Sequence, residues 1–169
     1  MDAIDALLSR RSIRKYKNKK VSDSKIKELL EVAMSAPSAG NQQLWHFIVI
    51  KDPHTLGKIP SFHNHAQMIK DASFGILVCG DINLEKYKDM WIQDCAAATE
   101  NILIAVNAEG LGGVWLGIYP RDERIKGLRE LLDIPENIIP FSLISIGYPA
   151  EKKPKSNRYN NSRVHFEKW

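Results

Sequence analysis

The residues with the clearest chemistry are Arg10, Arg11, Ser12 and Arg14, which place three guanidinium groups and a hydroxyl within five positions. Groups of this kind can grip a phosphate dianion through charge-assisted, bidentate hydrogen bonds. Apolar residues at Ile4, Leu7 and Leu8 mark a helix before them, with Asp2 and Asp5 near its start, where carboxylates suit the helix dipole. An extended exit from that helix directs Arg10, Ser12 and Arg14 to one side. The same run, continued by Lys15, Lys17, Lys19 and Lys20, also reads as a solvated basic face or as a nucleic-acid contact. Its complement is Pro37-Ser38-Ala39-Gly40-Asn41-Gln42-Gln43, a loop of small and amide residues able to set several donors around a planar ligand.

Other chemistries find less support. His63 and His65 lack a carboxylate, cysteine or third histidine at a spacing that would complete a metal site, so they read as solvated loop histidines and no metal is expected. Cys79 and Cys95 lie in apolar runs without a basic neighbour, which makes them small buried hydrophobes rather than nucleophiles. No Ser-His-Asp arrangement follows from spacing. Gly110, Gly112, Gly113 and Gly117 fail as a dinucleotide fingerprint, because Trp115 takes the last glycine position and the order is helix, glycines, strand. There is no phosphate-binding Gly-Lys-Ser/Thr run. A phosphate grip without a protein nucleophile or metal favours an organic cofactor that carries the reaction.

The elements that must position these residues follow from periodicity and punctuation. A helix starting among Ser22, Asp23 and Ser24 carries the stripe Ile26, Leu29, Leu30, Ala33 and Met34 until Pro37. Strands are expected over 46–50, 74–79, 112–118 and 141–146, with 74–79 apolar enough to lie mid-sheet. Short helices over 55–59 and 66–72 flank a loop where a mobile lid would fit. The stretch 87–108 reads as a long helix, small or apolar on most of its circumference and therefore buried in a core or an interface. Asp122 is expected to cap a last helix bearing Ile125, Leu128, Leu131 and Leu132. Two helices before the first strand and an irregular alternation make the fold α+β, with a central mixed or antiparallel sheet.

With 169 residues, 44% apolar and 26% charged, the chain reads as a single domain over 1–150 followed by a polar extension, 151–169. That extension lacks the apolar content for its own core yet ends on Val164, Phe166 and Trp169, so it is expected to dock on something, such as a second subunit. The net charge of +4 is concentrated at the two chain ends, which suits a small anionic ligand better than a continuous nucleic-acid face. No apolar run approaches the roughly 20 residues of a membrane span, and the start is unlike a leader peptide. A cytoplasmic protein with neither a nucleic-acid nor a membrane partner is the expectation.

Four motifs in order, Arg10-Arg11-Ser12-Ile13-Arg14-Lys15-Tyr16, Ala36 to Trp45, Gly110-Leu111-Gly112-Gly113-Val114-Trp115-Leu116-Gly117 and Gly147-Tyr148-Pro149, resemble those of the nitroreductase family over almost the whole chain. The resemblance implies an FMN-dependent NAD(P)H oxidoreductase, an intertwined homodimer with flavin at the interface. It implies that Arg10, Arg11, Ser12 and Arg14 hold the FMN phosphate, ribityl chain and pyrimidine edge, while Pro37, Ser38, Ala39, Asn41 and Gln42 approach from the partner. Trp115, Leu116 and Gly117 would lie along the isoalloxazine, with the Gly117 N–H directed to flavin N5. Lys155 and Arg158, with Arg163 as a further candidate, would stand beside the phosphate. NADH or NADPH would give hydride to FMN, and a nitroaromatic, quinone or similar small molecule would receive it in a ping-pong cycle. A specialised flavin reaction, such as dehalogenation or flavin fragmentation, and a non-enzymatic flavin-binding role are the alternatives. The chain departs from the family pattern at Leu44, where proline is common, and is short over 51–73 and 80–91, so the acceptor is the least transferable property.

Overall fold

The computed structural model describes every residue from Met1 to Trp169. Helix α1 (Ala3–Ser9) begins at Asp2, whose carboxylate accepts from the Ile4 and Asp5 N–H groups. Only Ala6 of this helix is buried; Ile4, Leu7 and Leu8, the expected apolar face, point outward. Beyond it the chain extends along the sheet, where Ile13 N–H donates to the Gly113 carbonyl at 3.0 Å. Helix α2 (Asp23–Met34) is capped by Ser22 and buries Ile26, Leu29 and Ala33.

Four strands, β1 (Trp45–Ile50), β2 (Phe74–Asp81), β3 (Gly112–Gly117) and β4 (Ile138–Gly147), form one sheet in the order β1-β2-β4-β3, with every neighbouring pair antiparallel. As expected, β2 is an inner strand. The only parallel element is an isolated bridge between Ser12 and Gly113. Strand β4 starts earlier than its apolar run suggests and takes in Pro140. Because proline cannot donate to a ladder, that position coincides with the register shift between Val78 and Cys79.

Alternation along the strands sends side chains to two cores. One holds Phe74, Ile76, Val78, Ile144 and Ile146 beneath α2 and α4 (Trp91–Ala108); the other holds Leu77, Cys79, Val114, Leu116 and Leu143 beneath α3 (Pro53–Lys58) and α5 (Asp122–Leu132). Each large side chain fully buried here, such as Phe74 or Leu143, contributes about 1.5–3 kcal/mol. A Lys25–Glu109 ion pair ties α2 to the end of α4.

Three sequence expectations are corrected. The long helix starts at Trp91 rather than Tyr87, since residues 82–90 form a short 3-10 turn and bends. Asp122 is the first residue of α5, not its cap; Arg121 holds that position and makes no side-chain capping bond. The segment 51–73 is a packed wall rather than a lid, with Leu56, Ile59, His63, Ala66 and Ile69 all buried.

Candidate functional site

A cavity of about 480 Å³ runs along the edge strand β3, between Arg14 on one side and the 62–68 segment and α5 on the other. Val114, Trp115, Leu116 and Gly117 form its floor, and His63, His65, Met68 and Arg124 close its far side. The Trp115 ring itself turns into the core, edge-on to Phe141 with centroids 5.8 Å apart. Arg14 is exposed; its backbone N–H donates to Glu151 Oε1 at 2.6 Å, which ties the start of the C-terminal extension to the cavity's rim.

The far wall is set by a close approach between distant segments. The Phe62 ring lies on the α5 backbone at Gly127, where an added Cβ would come within 2.4 Å of the ring. Glycine is therefore required there, and the contact brings His63 beside Arg124, one turn earlier on α5. Arg124 Nη1 donates to the Gly117 carbonyl at 2.7 Å and so fixes the end of β3. His63 is only 2% exposed and neither ring nitrogen makes a hydrogen bond of good geometry, although the Gly117 backbone stands close to the ring; Arg124 Nε is likewise buried and unpaired. Burial, and next the Arg124 cation, hold the His63 pKa below its ordinary value, so the imidazole is neutral at pH 7. The space in front of Gly117 is open, since a Cβ there would meet nothing within 4 Å. A cation, an apolar strand edge and an open backbone together suit a planar ligand with a polar rim.

A second cavity, of about 300 Å³, is lined by Pro37, Ser38 and Ala39 with Met90, Gln93, Asp94 and Ala97 of the α4 side. Asp94 shapes it: the carboxylate, 4% exposed, accepts from Ala39 N–H at 2.9 Å and from Gln42 Nε2 at 2.6 Å. Gln42 Oε1 in turn accepts from Lys86 N–H at 2.9 Å, so this side chain is spent inside the fold instead of facing a ligand. Gly40, Asn41 and Gln43 all adopt left-handed backbone angles, with φ of 52°, 54° and 49°. Asn41 Oδ1 accepts from Gln43 Nε2 at 2.7 Å.

The expected one-sided array of Arg10, Ser12 and Arg14 is not what the fold builds. Arg10 faces Glu100 of α4 at 3.6 Å. Arg11 turns back over the carbonyl end of α1, donating to Leu8 O at 3.1 Å and to Pro154 O at 2.8 Å. Carbonyls left unpaired at the helix end are acceptors within its reach. Ser12 sits against β3, its carbonyl accepting from Lys153 Nζ at 2.8 Å. Only Arg14 of this cluster joins Trp115, Leu116 and Gly117 in the first cavity. Lys155 pairs with Asp5 at 3.7 Å, while Arg158 and Arg163 are exposed on the extension.

His63, His65, Met68, Arg124 and Asp94 line the two cavities without having been singled out as binding residues by pattern reading, and His63 is buried rather than solvated. The one usable signal was Asp94, a carboxylate within an alanine-rich helix. Both cysteines are fully buried, and that burial pushes the Cys79 thiol up to about 12 and raises Cys95 as well, which disfavours the thiolate form a nucleophile needs.

Comparison with known proteins agrees with this architecture. The model of the nitroreductase family matches residues 7–68 and 60–148. A protein of Archaeoglobus fulgidus, provisionally named NADH dehydrogenase/NAD(P)H nitroreductase, is 51% identical over 99% of both chains. The crystal structure of a provisionally named NADH oxidase from Clostridium acetobutylicum superposes with a TM-score of 0.93 at 45% identity, covering 99% of this chain and 100% of that one. An FMN-dependent nitroreductase from Clostridium difficile R20291 gives a TM-score of 0.91 at 31% identity, covering 98% and 99% of the two chains. The chain belongs to the nitroreductase family.

Proposed function

We propose that this chain is an FMN-dependent oxidoreductase that draws hydride from NADH or NADPH and delivers it to a nitroaromatic, quinone or similar small acceptor in a ping-pong cycle. The observation that carries the reading is the β3 cavity, in which an unpaired cation and an open glycine backbone meet along an apolar strand edge. It fits a flavin, a flat ring system with a carbonyl-bearing rim, and it accords with the names of the FMN-dependent relative and the NAD(P)H-linked one. Bound FMN would supply the hydride chemistry itself.

The protein's part is binding and electrostatics. Arg14 would face the pyrimidine end and stabilise negative charge there. The Gly117 backbone would lie against the ring, with Trp115 and Leu116 continuing that surface. Arg10, Arg11, Ser12, Lys155, Arg158 and Arg163 would supply a cationic field for the phosphate; Arg10 would have to leave Glu100 to touch it.

Pro37, Ser38, Ala39 and Asn41 would complete the site from a second copy of the chain. The two cavities share no lining residue, which supports a reading in which a homodimer sets one against the other. Titration of the flavin-free protein with FMN, read by quenching of flavin fluorescence, tests the assignment. Saturable uptake is expected, weakened in Arg14→Ala by about 1.5–3 kcal/mol for one lost charged hydrogen bond. Absence of uptake by the unaltered chain would overturn the reading.

A further inference from the structure

A concentration of cations lies towards the other edge of the sheet from the β3 cavity. Leaving α1, the chain crosses the end of the sheet: Ser12 bridges to Gly113 in β3, Tyr16 to Pro149 just after β4, and Val21 N–H donates to Ser73 Oγ, just before β2, at 2.8 Å. There it borders a separate cavity of about 450 Å³, beside Lys51 at the end of β1, the opposite outer strand. Lys17, Lys19, Lys20, Lys51 and Lys70 line this cavity, with Asp71 as its one acidic residue. Five cations against one anion leave an excess of four, as large as the net charge of the whole chain. Two of the five are engaged: Lys51 pairs with Asp23 at 2.6 Å, and Lys19 lies 4.1 Å from the Tyr148 ring centroid. Lys17, Lys20 and Lys70 have no ion-pair partner. Their backbone is nevertheless held, since Lys17 N–H donates to Tyr148 O at 2.8 Å and Ile69, next to Lys70, is fully buried.

Lysines of a solvated face spread apart, whereas these arrive at one hollow from three separate segments. Like charges gathered in this way repel one another unless an anion sits among them. Ammonium groups act as separate point charges rather than flat forks, so several around one hollow suit an anion whose own charges are several and close together. A cavity of this volume encloses one small molecule, whereas a nucleic-acid duplex needs a continuous basic face. We propose that the cavity bounded by Lys17, Lys20 and Lys70 is a second ligand site, which binds a small soluble oligophosphate: a molecule carrying two or three linked phosphates, as a nucleoside di- or triphosphate does. It shares no lining residue with either cavity described above and does not depend on the FMN reading.

Calorimetric titration of the FMN-loaded protein with inorganic tripolyphosphate tests this, since bound FMN then occupies its own phosphate grip. One saturable equivalent is expected, held at least about tenfold more tightly than orthophosphate. Lys17→Ser/Lys20→Ser/Lys70→Ser should bind it about 5- to 100-fold more weakly, through three lost ion pairs. That variant should melt no lower than the unaltered chain in the absence of tripolyphosphate, and NADH should reduce its flavin at the same rate. If the triple variant does not fold, Lys20→Gln decides, with an expected loss of about two- to fivefold. If the chain takes up no FMN, the same comparison on the flavin-free protein decides, and the flavin reading fails without this one. No uptake by the unaltered chain overturns the proposal, as do equal affinity for orthophosphate and uptake that the substitutions leave unchanged. So does tighter binding to a short DNA duplex or an anionic phospholipid vesicle that tripolyphosphate fails to displace.

Discussion

At the scale of single residues, the β3 cavity turns on a glycine whose missing side chain the fold itself does not require. Gly117 has no positive φ and no neighbour that a side chain would strike, so its lack of a Cβ serves whatever lies in front of it. Gly117→Ala should therefore leave the flavin-free protein as stable as before, or raise it by about 0.4–1 kcal/mol through the unfolded state. The same change should weaken FMN binding at least about tenfold, because the ring could no longer approach the backbone; unchanged affinity would remove Gly117 from the site. His63 gives a pH signature. Its folded pKa is below the ordinary 6.5, so as pH falls the unfolded chain takes up the proton first. Stability tied to the neutral imidazole is complete above about pH 6.5 and declines as pH falls towards the folded pKa. Urea unfolding of the flavin-free protein at two pH values spanning that window should show a larger loss in the unaltered chain than in His63→Leu.

At the scale of elements, the 37–43 loop is held in shape by α4. Asp94 satisfies two donors of that loop, and Gln42 passes the tie on to the backbone of Lys86. Asp94→Ala leaves those donors buried and unpaired, at an expected cost of about 1–3 kcal/mol, measurable as a lower urea midpoint with the unfolding slope unchanged. The elements themselves were largely legible from sequence, because the helical spacing of Leu29 with Ala33 and the apolar runs of β2 and β4 each mark their element. The cavity's far wall was not. His63 and Arg124 meet through Phe62 and Gly127, a contact of long sequence separation that no local pattern encodes. Arg10 and Arg11 differ from the local reading for the opposite reason: spacing aimed them at a ligand, whereas in this structure they reach Glu100, the Leu8 carbonyl and the Pro154 carbonyl.

At the scale of the whole molecule, one surface remains uncovered. The α1 residues Ile4 and Leu8 are 62% and 60% exposed, and Trp169 at the end of the extension is fully exposed. Ile4 and Leu8 lie one turn apart on α1, and exposed apolar residues so placed suit an interaction surface, for which a second copy of the chain is the expected occupant. Leu8→Glu should convert the dimer to a monomer in sedimentation velocity and lower FMN retention with it; a monomeric unaltered chain that binds FMN fully would contradict this assembly. The central claim, hydride passage through a flavin held by this cavity, is tested most directly by the visible spectrum of the FMN-loaded protein under anaerobic conditions. Addition of NADH or NADPH should bleach the flavin bands, and after removal of the nicotinamide a quinone or nitroaromatic should restore them. Flavin that binds but stays oxidised with both donors would contradict the account.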